Sequence, residues 1–464
     1  MVEEYGKYVT PGADTERMAE PATTKIHQGF SYRLDPTPEQ RRLLAGHTGA
    51  ARFCHNFLLG LVLDNWEEAR VAKEAGREVT KEHYLGTRQL DLQRLWYERR
   101  HEVAAWYQEN SSSTYNYAQL HLARAFTNFY QGRSRVPKFK RKGRAESFTL
   151  ASGATRLVDS HHVRLSRIGE IKTYESMRKL HRHLSRGTGR VTSVTISERR
   201  GQFHLAFSVE VTRTLRVVRG PERVIGVDVG ISTLYTGATP QGEWVLSVAN
   251  PRNYQKNEQR LARAQRRASR RQGPRGGVAP SNRWKRANLQ VQRIHADITN
   301  ARKNLIHETT THLTKNYDLI VIEDLNVRGM LKNHKLAKHI SDAAWGEFTR
   351  QLEYKAAWYG ARVVKADRFF ASSKTCSSCG VVKATLPLGV RTFHCGVCDR
   401  SIDRDLNAAI NLARWASTQE SNPTSAGTHS VAGRGGEVRP CRHNIDDPAH
   451  PDEASTEALT LVGV

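Results

Sequence analysis

The sequence predicts an α+β protein of several domains, in which a helical unit and an antiparallel sheet precede an α/β core along the chain. Two apolar, β-branched runs, at 224–238 and 318–324, have the character of buried central strands and carry carboxylates. Residues 37–130 show helical periodicity, whereas residues 145–215 alternate in short strands. Nearer the C-terminus, four cysteines form two C-x-x-C pairs.

The composition favours a polyanionic partner. Of 464 residues, 72 are Lys or Arg and 46 are Asp or Glu, which gives a formal net charge of +26. Nucleic acid is the simplest partner for such a charge, although a basic enzyme of another class would share it. No apolar run approaches the ~20 residues of a membrane span, and no secretory signal is visible at the N-terminus. We therefore expect a cytoplasmic, nucleoid-associated protein with no membrane partner.

The N-terminal half is predicted to contain a strand, a helical insertion and a sheet. Residues 1–28 mix charge, Gly and Pro without period and are expected to form a flexible extension. Residues 29–36 alternate as a strand, and Thr37 then supplies the N-cap of a helical unit over 37–130. Short alternating runs within 131–220 predict an antiparallel sheet or small barrel, which the first strand could join.

Two segments are strongly basic. Residues 133–144, RSRVPKFKRKGR, have one aromatic residue interleaved, and residues 253–312 predict a helical hairpin broken at 273–280. The hairpin has few acidic residues to form i,i+4 pairs, which favours contact with phosphates over a merely solvated face. The side chains predicted to bind nucleic acid are Lys138, Lys140, Arg141, Lys142, Arg260, Arg263, Arg267, Arg270, Arg271, Arg283, Lys285 and Arg286.

The first apolar run carries a single carboxylate, Asp228. Gly226 and Gly230 lie two residues away on either side, so a backbone or a ligand can come close. A buried carboxylate needs a cation or a hydrogen-bond partner, and actin-like ATPases and RNase H-like nucleases both use an Asp in this setting. The structural alternative is a core Asp that is simply hydrogen-bonded. No Walker-type loop occurs, which weakens the ATPase interpretation.

Two further carboxylate positions complete a predicted metal site. The second apolar run ends in Glu323 and Asp324, which face opposite sides of a strand, and Glu323 ends the apolar part. Later in the chain, either Asp403 or Asp405 opens a helix, where negative charge is favoured. With Asp228, one acid from each position can hold two Mg²⁺ ions that clamp the attacking and leaving oxygens of a phosphodiester.

The cysteine pairs give the strongest local signal in the chain. Cys376, Cys379, Cys395 and Cys398 can present four thiolates tetrahedrally to a structural Zn²⁺ ion. Such a site is saturated, so the zinc would hold the fold and perform no chemistry. The alternative is four cysteines without a ligand. We expect a zinc ribbon over residues 372–399.

Four motifs follow one another along the chain: GVDVG, IVIEDLNVRGM, the paired C-x-x-C and DRDLNAAINLA. Near the N-terminus stand YRLDPTPEQRRLL and VPKFKRK, followed by the basic hairpin. In this order they resemble the TnpB (OrfB) family of transposon-encoded proteins, which is related to the type V CRISPR effectors. The resemblance covers about residues 29–416. Residues 417–464, rich in Ser, Thr, Gly, Pro and acid, are expected to be a disordered tail.

The resemblance implies a fold and a set of site residues. The fold is a RuvC-like, RNase H-type α/β nuclease core over 221–371 and 400–416, with the zinc ribbon inserted. The N-terminal half becomes a wedge β-barrel, formed by 29–36 and 131–220, with residues 37–130 as a helical recognition insertion. The family's D…E…D triad maps onto Asp228, Glu323 and Asp405, the second Asp of DRD.

The resemblance also implies an activity and partners. Such a protein binds a guide RNA from the transposon end and cuts double-stranded DNA beside a short flanking motif, with two Mg²⁺ ions or Mn²⁺ in their place. The alternative is an RNA-guided DNA-binding repressor or transposition regulator without cleavage, which the retained acids oppose. A guide-independent nuclease for branched DNA would need neither the basic N-terminal half nor its helical insertion. Whether the protein is a monomer or a dimer stays open.

Overall fold

The computed structural model describes residues 23–420, apart from 144–145, 216–221, 276–277 and residue 388. Two sheets organise this part of the chain, and each builds a hydrophobic core of its own with the helices beside it. None of the helices described is long and apolar enough to cross a membrane.

A helical unit follows the first strand, as the sequence predicts. The first helix begins with a capping box, because Thr37 Oγ1 accepts from the Gln40 backbone N–H and Gln40 Oε1 accepts from the Thr37 N–H. The helices pack on one another around the buried rings of Trp96 and Phe126. The elements are β1 (Thr23–Asp35), α1 (Pro38–Glu74), α2 (Gln89–Val103) and α3 (Ser112–Tyr130).

Six strands after the helices join β1 in one seven-stranded antiparallel sheet, with the order β2-β6-β7-β1-β5-β4-β3. This confirms the predicted sheet and the place of the first strand in it. Arg200 and Gly201 both have positive φ and form the tight turn between the two longest of these six strands. The further elements are β2 (Ser147–Ala151), β3 (Thr155–Leu157), β4 (His162–Leu165), β5 (Gly169–Thr173), α4 (Arg178–Ser185), β6 (Gly189–Arg199) and β7 (Gln202–Thr214).

Strand β1 begins earlier than predicted. The expectation of a flexible extension over 1–28 is wrong for residues 23–28, because Thr23 pairs with Thr214 of β7 and the ladder continues without interruption. Ile26 and Gln28 are buried on the same face. The sequence hides this alternation because the inward-facing position 28 is polar, while β7 supplies the backbone hydrogen bonds. Residues 1–22 lie outside the described part of the chain.

The second sheet has five strands in the order β10-β9-β8-β11-β12. Strands β8, β11 and β12 run parallel, whereas β9 is antiparallel to both of its neighbours. The carboxyl ends of three parallel strands therefore meet at one edge, where ligands bind in open α/β sheets. These strands are β8 (Val224–Val229), β9 (Thr233–Ala238), β10 (Trp244–Ala249), β11 (Leu319–Glu323) and β12 (Arg362–Ala366).

Helices connect and cover this sheet. The predicted basic hairpin is formed by the first two, which pack through Leu261 and Ala264 against Ile294 and Ile298. The second half of the long helix continues onto the sheet, where Leu313 joins its core. The helices are α5 (Asn253–Ser269), α6 (Asn282–Asn316), α7 (Val327–Met330), α8 (Ala337–Ala343) and α9 (Trp345–Tyr359).

The last elements are a two-stranded ribbon, β13 (Thr392–His394) and β14 (Ser401–Asp403), and helix α10 (Arg404–Glu420). Helix α10 lies directly on β8, since a Cβ at Gly226 would overlap its backbone at Ala409 and Ala413. This is the close approach that the sequence predicts for Gly226. The predicted tail over 417–464 is wrong for residues 417–420, which extend α10, and residues 421–464 lie outside the described part.

Candidate functional site

Two carboxylates stand side by side at the edge of the second sheet. Val227 of β8 pairs with Ile322 of β11, so the next residues along the parallel strands, Asp228 and Glu323, are neighbours. Residues in register project to the same face, which places both side chains together. Asp324 faces the other way and forms an ion pair of 2.5 Å with Arg368. The structure thus brings Glu323, and not Asp324, beside Asp228.

Helix α10 brings a third carboxylate to this edge. Asp403 caps the helix, since its Oδ1 accepts from the backbone N–H groups of Asp405 and Leu406, each at 2.9 Å. The Asp405 carboxylate is buried and accepts from Arg404, with Nη2 at 2.8 Å and Nε at 3.1 Å. Arg391 lies 3.8 Å from its other oxygen. Asp403 therefore serves the helix, while Asp405 belongs to the acidic site.

The electrostatics of this site favour a cation. Burial raises the pKa of Asp228 well above its usual range, and the negative charges of Glu323 and Asp405 raise it further, while Arg404 acts in the opposite direction. Burial also raises the pKa of Glu323, although a hydrogen bond of 2.5 Å from the Ser372 hydroxyl opposes the shift. Carboxylates that repel one another in a partly buried site are typical of functional positions.

The carboxylates of Asp228, Glu323 and Asp405 suit Mg²⁺, because carboxylate oxygens are the ligands that this hard cation prefers. The three acids do not converge on one point. Within the described residues, only the four cysteines have ligand atoms that all lie within 4.8 Å of one another. Carboxylates that flank two ions roughly 3.5–4 Å apart need not meet that spacing, so the arrangement suits two ions better than one.

Three polar residues that sequence reasoning missed support these acids. Ser372 donates to Glu323, and its backbone carbonyl accepts from Asn411 Nδ2 at 2.8 Å. Asn407 donates to the Thr375 carbonyl at 2.7 Å and accepts from the Ser377 N–H at 2.9 Å. Both Asn side chains are buried on α10. Their i,i+4 spacing among alanines in DRDLNAAINLA was the signal that could have found them.

The four cysteines form a cluster consistent with a structural zinc site. The Sγ atoms of Cys376 and Cys398 lie 3.6 Å apart, and those of Cys379 and Cys395 lie 3.5 Å apart. Four thiolates at about 2.3 Å from a central Zn²⁺ ion have nearly this separation. The backbone N–H groups of Cys398 and Val397 lower the pKa of Cys395 to about 6, which favours the thiolate that binds metal.

The basic hairpin presents a stripe of arginines. Arg263, Arg267 and Arg270 are exposed, and no ion pair to them occurs in the described part of the chain. Five arginines line a cavity of about 480 Å³ on α5 and just beyond it. Arg260 instead pairs with Asp297 at 3.7 Å, and Arg271 donates to the Arg283 carbonyl at 2.9 Å. The lining residues are Arg263, Arg266, Arg267, Arg270 and Arg271.

The remaining predicted nucleic-acid contacts divide into exposed and half-buried side chains. Burial lowers the pKa of the Lys140 amine, which lies near Cys54, and Asn56 holds the Lys140 backbone N–H at 2.7 Å. Lys140 is therefore a weaker candidate for phosphate contact than its neighbours. Lys138, Arg141, Lys142, Arg283, Lys285 and Arg286 are all exposed.

Three models of known protein families match parts of this chain. A family model described as a probable transposase matches residues 206–334, and a Cas12f1-like TNB domain model matches residues 345–412. A helix-turn-helix domain model matches residues 24–70. In the structure these last residues form β1 and most of α1, so the name of that model does not describe their conformation.

Three relatives are similar to this chain over most of its length. A Streptomyces pristinaespiralis protein is 36% identical over 84% of this chain and 89% of its own length. A Mycobacterium tuberculosis protein is 32% identical over 84% of this chain and 86% of its own length. The Escherichia coli protein InsQ is 28% identical over 83% of this chain and 91% of its own length. All three are named as candidate RNA-guided DNA endonucleases.

A solved structure shares the fold. The cryo-EM structure of Cas12f1 with guide RNA and target DNA matches 84% of this chain and 99% of that chain, with a TM-score of 0.50 and 13% identity. The fold is shared with Cas12f1, and the family models and relatives define a transposase-related protein. Within that class, the chain belongs to the TnpB (OrfB) family.

Proposed function

We propose that this protein is an RNA-guided endonuclease that cuts double-stranded DNA by metal-dependent phosphodiester hydrolysis. The observation that carries the proposal is the acidic site: Asp228 and Glu323 in register on neighbouring parallel strands, with Asp405 brought to them by α10. The names of the relatives and the nucleic acids bound to Cas12f1 support the same conclusion.

The nuclease core in this proposal is RuvC-like and of the RNase H type. It comprises 221–371 and 400–416, with a zinc ribbon inserted at 372–399. The five-stranded sheet supports this assignment. Strands β10, β9 and β8 are antiparallel neighbours, and β11 and β12 then run parallel to β8, so that Asp228 and Glu323 lie at one edge. The sheet of 29–36 and 131–220 acts as the wedge, and the helices of 37–130 as the recognition insertion.

In this proposal the acids bind the catalytic ions, their neighbours position the acids, and the cysteines bind a structural ion. Two Mg²⁺ ions, or Mn²⁺ in their place, would activate water and neutralise the charge on the leaving 3′ oxygen. Asp228, Glu323 and Asp405 would hold these ions. Ser372 fixes the orientation of Glu323, and Arg404 donates two hydrogen bonds to Asp405 Oδ1. The clustered cysteines would hold a structural Zn²⁺ ion, which keeps the loop containing Ser372 against α10.

The basic surfaces supply the nucleic-acid contacts in this proposal. Base pairing with a guide RNA reads the target sequence, while cationic channels hold the heteroduplex by its backbone. The exposed arginines of α5 have the density of positive charge that such a channel needs. The guide RNA would come from the transposon end, and the DNA target would lie beside a short flanking motif.

The experiment that tests the proposal is plasmid cleavage by protein purified with RNA transcribed from its own locus. The reaction contains Mg²⁺ and a target library with randomised flanks. We expect cutting that requires the guide, one flanking motif and Asp228. Glu222→Gln is the matched control, because its carboxylate lies just before the same strand, at the end away from Asp228, and pairs with Arg362 at 2.7 Å. This variant should retain cleavage.

Two other results would change the assignment. Guide-dependent binding without cutting in the wild-type protein would make it an RNA-guided DNA-binding protein that acts as a repressor or transposition regulator. Cutting that ignores the guide would refute the RNA-guided part and leave a metal-dependent nuclease.

A further inference from the structure

One aromatic side chain stands out beside the acidic site. Phe369 is 94% exposed, more than any other large apolar side chain in the described part of the chain, where Leu90 follows at 74%. It lies three residues beyond the end of β12, whose last residue, Ala366, pairs with Glu323. Three residues further on, Ser372 donates its hydrogen bond to Glu323. Phe369 therefore lies in the short segment between Ala366, which pairs with Glu323 in the sheet, and Ser372, which donates to the Glu323 carboxylate.

The ring is held outward by its neighbours. On one side, Arg368 is tied to Asp324 by an ion pair of 2.5 Å. On the other side, Phe370 packs into the cluster that contains Leu319 and Leu412, and its backbone N–H bonds to the Asp367 carbonyl at 2.9 Å. Because both adjacent residues are anchored, the segment presents Phe369 to solvent in a defined position.

Single exposed apolar residues are common on proteins and need no explanation by themselves. Phe369 differs because of its surroundings. A cavity of about 480 Å³ is lined by Glu323, Arg328 and Arg368 among others, so acid and cations meet at the edge of the sheet, and Phe369 directly follows one of these lining residues in the chain. An exposed phenyl ring next in sequence to an arginine of this cavity suits a nucleotide, whose base can stack on the ring while its phosphate contacts cationic side chains.

We propose that Phe369 is a stacking platform for a nucleobase of the DNA strand that enters the acidic site. The inference rests on the proposed function, which supplies the strand. The ring would hold one unpaired base and so fix the position of the backbone relative to Asp228 and Glu323. Stacking tolerates any base, since each has a π-face, so this contact positions the strand without reading its sequence.

Photocrosslinking tests the contact without relying on cleavage. Guide-loaded full-length protein carrying Asp228→Ala binds matched DNA with a single 5-iododeoxyuridine at successive positions of each strand. We expect a crosslink to Phe369 at one position of one strand. Phe369→Trp should retain the crosslink, and Phe369→Ala should lose it. Trp244→Ala is the matched control, because it truncates another exposed aromatic side chain on β10, at the opposite edge of the same sheet from β12.

Cleavage then measures what the contact contributes. With Asp228 intact, Phe369→Ala should slow cutting by roughly 5- to 150-fold, the range of base–aromatic stacking, while its melting temperature and zinc content stay unchanged. An abasic nucleotide at the crosslinked position should slow the wild-type protein by a similar factor. It should not slow Phe369→Ala any further, because the stacked pair is already broken.

Three results would overturn the inference: no crosslink to Phe369 at any position, cutting by Phe369→Ala equal to that of Trp244→Ala, or full additivity of the abasic site and the substitution. If no variant, including the wild type, cuts guide-matched DNA, the proposed function fails. The crosslink still decides whether the ring contacts a base.

Discussion

Replacement of Asp228 by Asn is expected to abolish DNA cleavage and, at the same time, to stabilise the metal-free protein. The reason is that Asp228 is held among like charges, with Glu323 in register beside it and Asp405 on the helix above. Asn has nearly the same shape and carries no charge. The substitution therefore removes repulsion while it leaves the packing of β8 unchanged.

The size of the effect follows from the strand spacing. Neighbouring strands lie about 4.8 Å apart, so two carboxylates in register are separated by roughly 6 Å. At an effective dielectric constant near 20, two unit charges at that separation repel by roughly 3 kcal/mol. Arg404 offsets part of this repulsion. We expect a net gain of about 1–2 kcal/mol in the free energy of unfolding, which is a few degrees in melting temperature.

The stabilisation should depend on pH in a defined direction. Burial and the neighbouring charges raise the pKa of Asp228 in the folded state above its unfolded value. Between these two pKa values the folded wild-type protein holds a proton that the unfolded chain has lost. Its free energy of unfolding therefore falls as pH rises through this range to the folded pKa. The melting temperature of Asp228→Asn should therefore exceed that of the wild type increasingly toward alkaline pH.

The assay is thermal melting in EDTA across a pH series, repeated with Mg²⁺, which should stabilise the wild type more than the variant. Asp318→Asn is the control, because Asp318 is a buried aspartate just before β11 that accepts from the Arg223 backbone N–H at 3.0 Å and from its Nε at 3.3 Å. This variant should be destabilised. The reasoning is refuted if metal-free Asp228→Asn melts at or below the wild-type temperature at alkaline pH while Asp318→Asn behaves as expected.

Three further outcomes are expected. Ser372→Ala should cut roughly 10-fold more slowly and need more Mg²⁺, because Glu323 loses a hydrogen bond to its charged form; a Mg²⁺ titration measures this, and unchanged Mg²⁺ dependence would contradict it. Cys395→Ser should lower the zinc content and the melting temperature together, as measured by metal analysis and calorimetry, whereas a zinc-replete variant would argue against the four-thiolate site. Arg263→Gln combined with Arg267→Gln should reduce the salt dependence of nucleic-acid binding by roughly two units of log–log slope, while an unchanged slope would place these side chains away from phosphates.

Several features follow from local sequence because they depend on residues close together in the chain. The capping box at Thr37 and the basic helical hairpin both appear where the pattern predicts them. The cysteine cluster combines two such local pairs. Short-range spacing was sufficient in these cases, since the interacting groups lie within a few residues or form one simple repeat.

Other features were decided only by long-range packing. The strand start at Thr23 depends on pairing with β7, almost two hundred residues later, and its polar residues gave no alternation to detect. The sequence left Asp403 and Asp405 as alternatives, and the structure separates them because Asp403 caps α10 while Asp405 faces Asp228.

The sequence by itself determined which residue types the acidic site contains and that their strands are buried. It could not determine the supports of that site. Ser372 reaches Glu323 only because the loop that carries it is held on α10 by Asn411. The exposure of Phe369 likewise depends on Arg368 and Phe370 being anchored to other elements. Hydrogen bonds and packing between distant segments have no periodicity along the chain, so tertiary structure alone reveals them.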